Sequence, residues 1–145
     1  MSICKVLVFG NRLVEKDKLP LELIPYLEKE FPEIEFKEFD SIEDLQNEGS
    51  VLYIIDSVEN IENVTIIYNI DQIEISKSLY TIHDMDLGYM LKLMKKVNMI
   101  DQVIIFGIPT NTLSKIKILN QLEEKIRSIL ISENGLHNSY TDHKL

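Results

Sequence analysis

The chain has a single cysteine, Cys4, so no internal disulfide can form, and a reducing compartment suits it. It is also short of positive charge. Lys and Arg number 15 against 24 Asp and Glu, for a net charge of −9 and a pI near 4.8. An acidic surface is repelled by nucleic acid and anionic membranes, so neither is an expected partner; a basic protein or a cationic ligand is compatible. No apolar run approaches the roughly 20 residues that span a bilayer. The first residues lack the charged region and cleavage site of a signal peptide, and their apolar stretch, Val6 to Phe9, reads as a buried strand. A cytoplasmic location is the expectation. Phosphate-cradling glycines are missing too. Phe9-Gly10-Asn11 carries one glycine and leads into a charged loop, which is not a dinucleotide fingerprint. There is no P-loop and no Gly-x-Ser-x-Gly elbow, which argues against a serine hydrolase. Cys4 opens a buried strand with no base near it in sequence, a poor setting for a nucleophile.

What is present is an alternation of strands and helices. At 145 residues the chain is long enough to bury a real core. One α/β domain is expected over residues 1–135, with a flexible tail over 136–145. Short apolar runs place strands at residues 4–9, 34–39, 51–55, 64–68 and 103–106. The second is the most polar and suits an edge; the third is wholly apolar and suits the centre. A kinked helix is expected over 19–30, with Leu23, Ile24, Leu27 and Phe31 on one face and Pro25 inside it. Ser41-Ile42-Glu43-Asp44 has capping-box spacing for a short helical turn. Asn69 to Lys77 reads as a polar connection and Ser78 to Ile82 as a short extended piece. Asp86 can cap a helix bearing Leu87, Met90, Leu91 and Met94. Gly107-Ile108-Pro109 is expected to end the last strand. Asn111 or Thr112 should cap a final helix carrying Leu119, Leu122, Ile126, Ile129 and Leu130, with Asn134-Gly135 as its stop. The fold class is therefore α/β, a mostly parallel twisted sheet of about five strands with helices on both faces.

Three separate segments put a polar residue with metal-binding chemistry where an apolar strand should end. Val6 to Asn11 runs on to Asp17, Leu52-Tyr53-Ile54-Ile55 leads to Asp56, and Leu79-Tyr80-Thr81-Ile82 leads to His83. Loops at the carboxyl ends of parallel strands form the usual ligand crevice of such sheets. Two carboxylates and an imidazole meeting there would make a three-ligand metal site with open positions. Each residue also has a plainer reading. His83 can be a hydrogen-bonded loop residue, Asp56 a helix cap or turn residue, and Asp17 part of the solvated run Glu15-Lys16-Asp17-Lys18.

In their order and spacing these motifs resemble the hydrogenase maturation proteases, which remove a C-terminal peptide from the large subunit of nickel-iron hydrogenases. That family has a first strand ending in Gly-Asn with an acidic metal ligand six residues on, matched by Gly10-Asn11 and Asp17. Its second ligand, an Asp closing an apolar strand, is matched by Asp56. Its third, a His just before an amphipathic helix, is matched by His83 in Ile82-His83-Asp84-Met85-Asp86-Leu87-Gly88. Ile105-Phe106-Gly107-Ile108-Pro109 is similar to the family's late strand and turn, and the resemblance spans most of residues 3–131. Some glycines of the family pattern are absent. Val8 stands where a second Gly is usual, Lys16-Asp17-Lys18-Leu19-Pro20 replaces paired acids and a Gly-rich turn, and Asp40-Ser41-Ile42 replaces an Asp-Gly-Gly loop.

The resemblance implies that Asp17, Asp56 and His83 contact nickel already placed in the large-subunit precursor, with one carboxylate also handling a proton. Nickel would come with the substrate and no organic cofactor would be needed. The partner would be that precursor, bound by a monomer. Two other readings remain from sequence: a non-catalytic metal-sensing assembly chaperone of the same precursor, and an unrelated α/β binding module in which the three residues never meet.

Overall fold

The computed structural model describes residues 4–39, 42–68, 84–110 and 114–136. Its centre is a sheet of five strands in the order β2-β1-β3-β5-β4. The strands are β1 (Cys4–Val8), β2 (Ile34–Glu38), β3 (Val51–Val58), β4 (Thr65–Ile67) and β5 (Gln102–Pro109). β1 pairs parallel with β2 and β3, and β3 parallel with β5. β4 runs antiparallel on the far edge. The α/β class, the polar edge strand and the apolar central strand all match the sequence expectation.

Alternation along the strands feeds two cores, one on each face of the sheet. On one face Val6, Val8, Ile55, Ile104 and Phe106 pack with Leu23 and Leu27 of α1 (Leu19–Glu30) and with Ile118, Leu122 and Ile126 of a C-terminal helix, Lys115–Ile126. On the other, Leu7, Leu52, Ile54, Val103 and Ile105 pack with Leu91 and Met94 of α2 (Asp84–Lys96) and with Leu45 of the 3-10 helix Ile42–Asn47. The C-terminal helix is α3. Helices therefore cover both faces, as a parallel sheet requires.

Several boundaries differ from expectation for physical reasons. β3 continues three residues past Ile55, because Asp56, Ser57 and Val58 pair with Gly107, Ile108 and Pro109. Asp56 thus lies within the strand and not at its end. For the same reason Gly107-Ile108-Pro109 is strand and not turn. Gly107 is needed there, since a Cβ would sit 2.8 Å from Val58 Cγ2. α1, by contrast, runs over Leu19–Glu30 through Pro25 as expected, and Pro25 is exposed, so its ring meets solvent and not the core. α2 begins at Asp84, two residues before the expected cap. The helix ends at Lys96, and Asn98, two residues on, takes the left-handed conformation (φ 63°) that stops helices. Ser114 caps α3, its side-chain oxygen accepting from the Lys117 N–H at 3.1 Å. The backbone past Ile126 widens into π-helical turns over Arg127–Leu136, so Asn134-Gly135 does not stop it. The expected polar connection at 69–77, the short extended piece at 78–82, the cap candidates Asn111 and Thr112 and the tail from residue 137 lie outside the described residues. Among the described residues no helix is long and apolar enough to cross a membrane.

Candidate active site

The chain path creates a crevice between β1 and β3. From β1 it crosses over α1 to β2 on one side; from β3 it proceeds to β5 on the other. Where strand order reverses in this way, the connections leave the carboxyl edge in opposite directions and a gap opens between them. One expected carboxylate, Asp17, comes from the loop after β1 and the other, Asp56, from β3.

Asp17 reaches it through a tightly closed loop. After β1, Phe9 N–H still donates to Ile55 O at 2.9 Å, so the chain leaves the sheet directly beside the strand bearing Asp56. Asn11 Oδ1 then accepts from the Leu13 N–H at 2.9 Å, an Asx turn that starts the loop. Asn11 O accepts from Val14 N–H, and Val14 O from Asp17 N–H. Finally Asp17 O accepts from Asn11 N–H at 3.0 Å, which closes the loop on itself. Asn11 therefore shapes the turn. Gly10 is required because a Cβ would lie 2.8 Å from both Asp17 O and Leu21 Cγ. Glu15–Asp17 forms a single 3-10 turn, with Glu15 and Lys16 exposed and Asp17 only 2% exposed. The solvated-loop reading of Asp17 does not hold.

Asp56 is fully buried. It shares the Ile54 and Val58 side of β3 by strand alternation, the face covered by α2. Its Oδ1 accepts from the Ser57 N–H at 2.8 Å, and its neighbour in β5 is Gly107. Ser57 is a polar residue the sequence reading passed over. It is 1% exposed, and its Oγ has no hydrogen-bond partner among the described residues. Val58 directly after the Asp56-Ser57 pair was the available sign that the strand, and its buried polar pair, ran on.

His83 lies outside the described residues. The helix that follows it is informative all the same. Asp101 N–H, just before β5, donates to Ser50 O, just before β3, which marks the amino edge of the sheet. α2 ends five residues earlier, at Lys96. Its 13 residues rise about 20 Å along the strands, so its N-terminus, Asp84, faces the carboxyl edge where Asp17 and Asp56 lie. Among the described residues no three His, Cys, Asp or Glu side chains form a metal-binding group. Cys4, at the opposite edge of the sheet, is no competitor as a reactive group. Burial, with help from Glu33, pushes its thiol up to about 11.

The fold is that of a doubly wound α/β protein, with one buried aspartate in the loop after β1 and another on β3, on either side of its topological switch point. The chain belongs to the hydrogenase maturation protease family, whose model matches residues 37–131. That stretch contains Asp56 and His83 and starts after Asp17. The family is one of peptidases, so membership assigns polypeptide hydrolysis as the class of activity. Two solved structures share the fold. The solution structure of an endopeptidase from Escherichia coli has a TM-score of 0.64 at 16% identity, covering 93% of this chain and 94% of that one. The crystal structure of the hydrogenase 3 maturation protease has a TM-score of 0.59 at 22% identity, covering 86% and 87%. No curated protein matches the sequence.

Proposed function

We propose that this protein is an endopeptidase that removes the C-terminal peptide of a nickel-iron hydrogenase large-subunit precursor after nickel insertion. Asp17, Asp56 and His83 contact the nickel that the precursor carries. The observation that best supports this reading is the placement of two buried carboxylates on either side of the switch point, one in the loop after β1 and one on β3, in a chain of a peptidase family. Carboxylate oxygens and imidazole nitrogen are suitable donors for Ni²⁺. In a crevice shielded from water, a carboxylate interacts with a cation more strongly than it would at the surface. Contact with the metal selects finished precursor before the bond is cut. Asp17 or Asp56 then takes the proton of the attacking water, a role within the ordinary range of a carboxylate base. The protein works as a cytoplasmic monomer and needs no organic cofactor.

One observation favours a second reading. Val8, where the family pattern has glycine, is fully buried in the core on the α1 face of the sheet. A filled position removes the close backbone approach that glycine allows. A non-catalytic assembly chaperone could tolerate that loss. The test is the intact mass of nickel-loaded and nickel-free precursors after incubation with the protein. Loss of a C-terminal peptide from the nickel-loaded form alone is the expected result. A stable complex without loss would replace the protease reading with the chaperone. Neither cleavage nor binding would overturn both.

A further inference from the structure

The loop that buries Asp17 turns two apolar side chains outward. Leu13 is 94% exposed and Val14 42%. A single exposed leucine is ordinary on a protein surface. This one differs in how it is held. The Asx turn at Asn11 fixes the Leu13 backbone, and the Val14–Asp17 and Asp17–Asn11 bonds lock the loop on either side of Asp17. Arg12, its neighbour, is tied to Glu38 at the end of β2 at 2.9 Å. Glu15, near the loop's other end, pairs with Lys18 at 3.1 Å. The two charged residues nearest the tip, Arg12 and Glu15, are thus both paired. What remains at the tip is an apolar knob on a braced platform, four residues from Asp17 in sequence and directly bonded to its loop.

From this we infer that Leu13 is a substrate-docking residue, inserting into an apolar pocket of the polypeptide substrate while Asp17 faces the reacting region. The inference rests on the protease reading above. A preformed loop loses little conformational freedom on binding, so its contact surface converts efficiently into affinity. A few residues that fill desolvated pockets carry most of an interface's energy, so one anchor that is fully buried in the partner has a measurable effect. The occupant is the hydrogenase large-subunit precursor, because the knob and Asp17 belong to one continuous loop. The neutralised flanks select an apolar contact and not a charged one.

The test compares wild type, Leu13→Asp and Leu13→Met on nickel-loaded large-subunit precursor, following both peptide release and complex formation. Leu13 is so exposed that neither change disturbs the core. Leu13→Asp should raise KM and the dissociation constant by about tenfold or more, the effect of losing one apolar anchor, with a much smaller change in kcat. Leu13→Met should stay close to wild type. A Leu13→Asp protein with wild-type KM and affinity would overturn the docking role while leaving the protease reading intact. A wild-type protein that neither binds nor cuts the precursor would overturn both.

Discussion

Removing a carboxylate from water costs several kcal/mol unless charge or hydrogen bonds restore what hydration supplied. Asp17 and Asp56 both give up their hydration in this fold, and Asp56 recovers a hydrogen bond from the Ser57 N–H. Residues retained against stability are often the working ones. Asp56→Asn keeps shape and removes charge. It should leave the melting temperature equal or higher, yet lower precursor processing by about a hundredfold or more. Parallel thermal melts and cleavage assays check both halves, and processing within twofold of wild type would take Asp56 out of the mechanism. His83→Ala should likewise abolish processing with the fold intact, as seen by circular dichroism. The burial of Asp17 was not legible in sequence. Glu15-Lys16-Asp17-Lys18 reads as a solvated run, and only the 3-10 turn rotates its third member inward while the first two stay out. That turn depends on bonds to Asn11 and on the fit of Gly10 against Leu21, which no local pattern encodes.

Among the elements, the strands and helices were largely readable because each apolar run has one dominant period. The errors fell where pairing decides the outcome. The polar Asp56-Ser57 pair broke the apolar run of β3, so its extension became visible only opposite β5, itself misread at Gly107. The antiparallel sense of β4 depends on how its connection returns, which periodicity does not report. A second nonlocal feature pins β1 and β2 at the end of the 3-10 helix. Glu48 bridges Lys5 of β1 and Lys37 of β2, and its carboxylate is nearly buried. The hydrogen bond from Lys5 leads the effects that hold the Glu48 carboxyl below its ordinary range, against an opposing contribution from burial. A depressed carboxyl stabilises the fold above its unfolded pKa and loses that contribution as pH falls through its folded value. Glu48→Gln should therefore cost about 1 kcal/mol at neutral pH, and the difference should shrink toward zero in acid. Urea titrations at neutral pH and near pH 3 check it; an equal difference at both would mean that packing, and not charge, is what Glu48 provides.

At the scale of the whole molecule, both cores share the same central strands. Val6 and Val8 of β1 face one core while Leu7 faces the other, and Ile104 and Ile105 of β5 divide in the same way. Neither layer can come apart without exposing the reverse side of the strands that the other layer covers. Unfolding should therefore be a single cooperative transition, with far-ultraviolet circular dichroism and tyrosine fluorescence tracing coincident urea curves. Separated curves would show that one helical layer detaches independently. The acidic surface acts at this scale too. It was legible from composition, and it suits a protein partner with a basic region over nucleic acid.

The clasp at Gly10 has a historical consequence. Its Cα lies so close to the Asp17 carbonyl and the Leu21 side chain that any larger residue must displace the loop and the first turn of α1 together. A lineage could drift freely at the outward tip of that loop and change what it grips. At residue 10 it would have to make two compensating moves at once, and single substitutions there lead nowhere. Variation in such a loop is confined to its outward tip, while the buried end that carries Asp17 is pinned by its own packing.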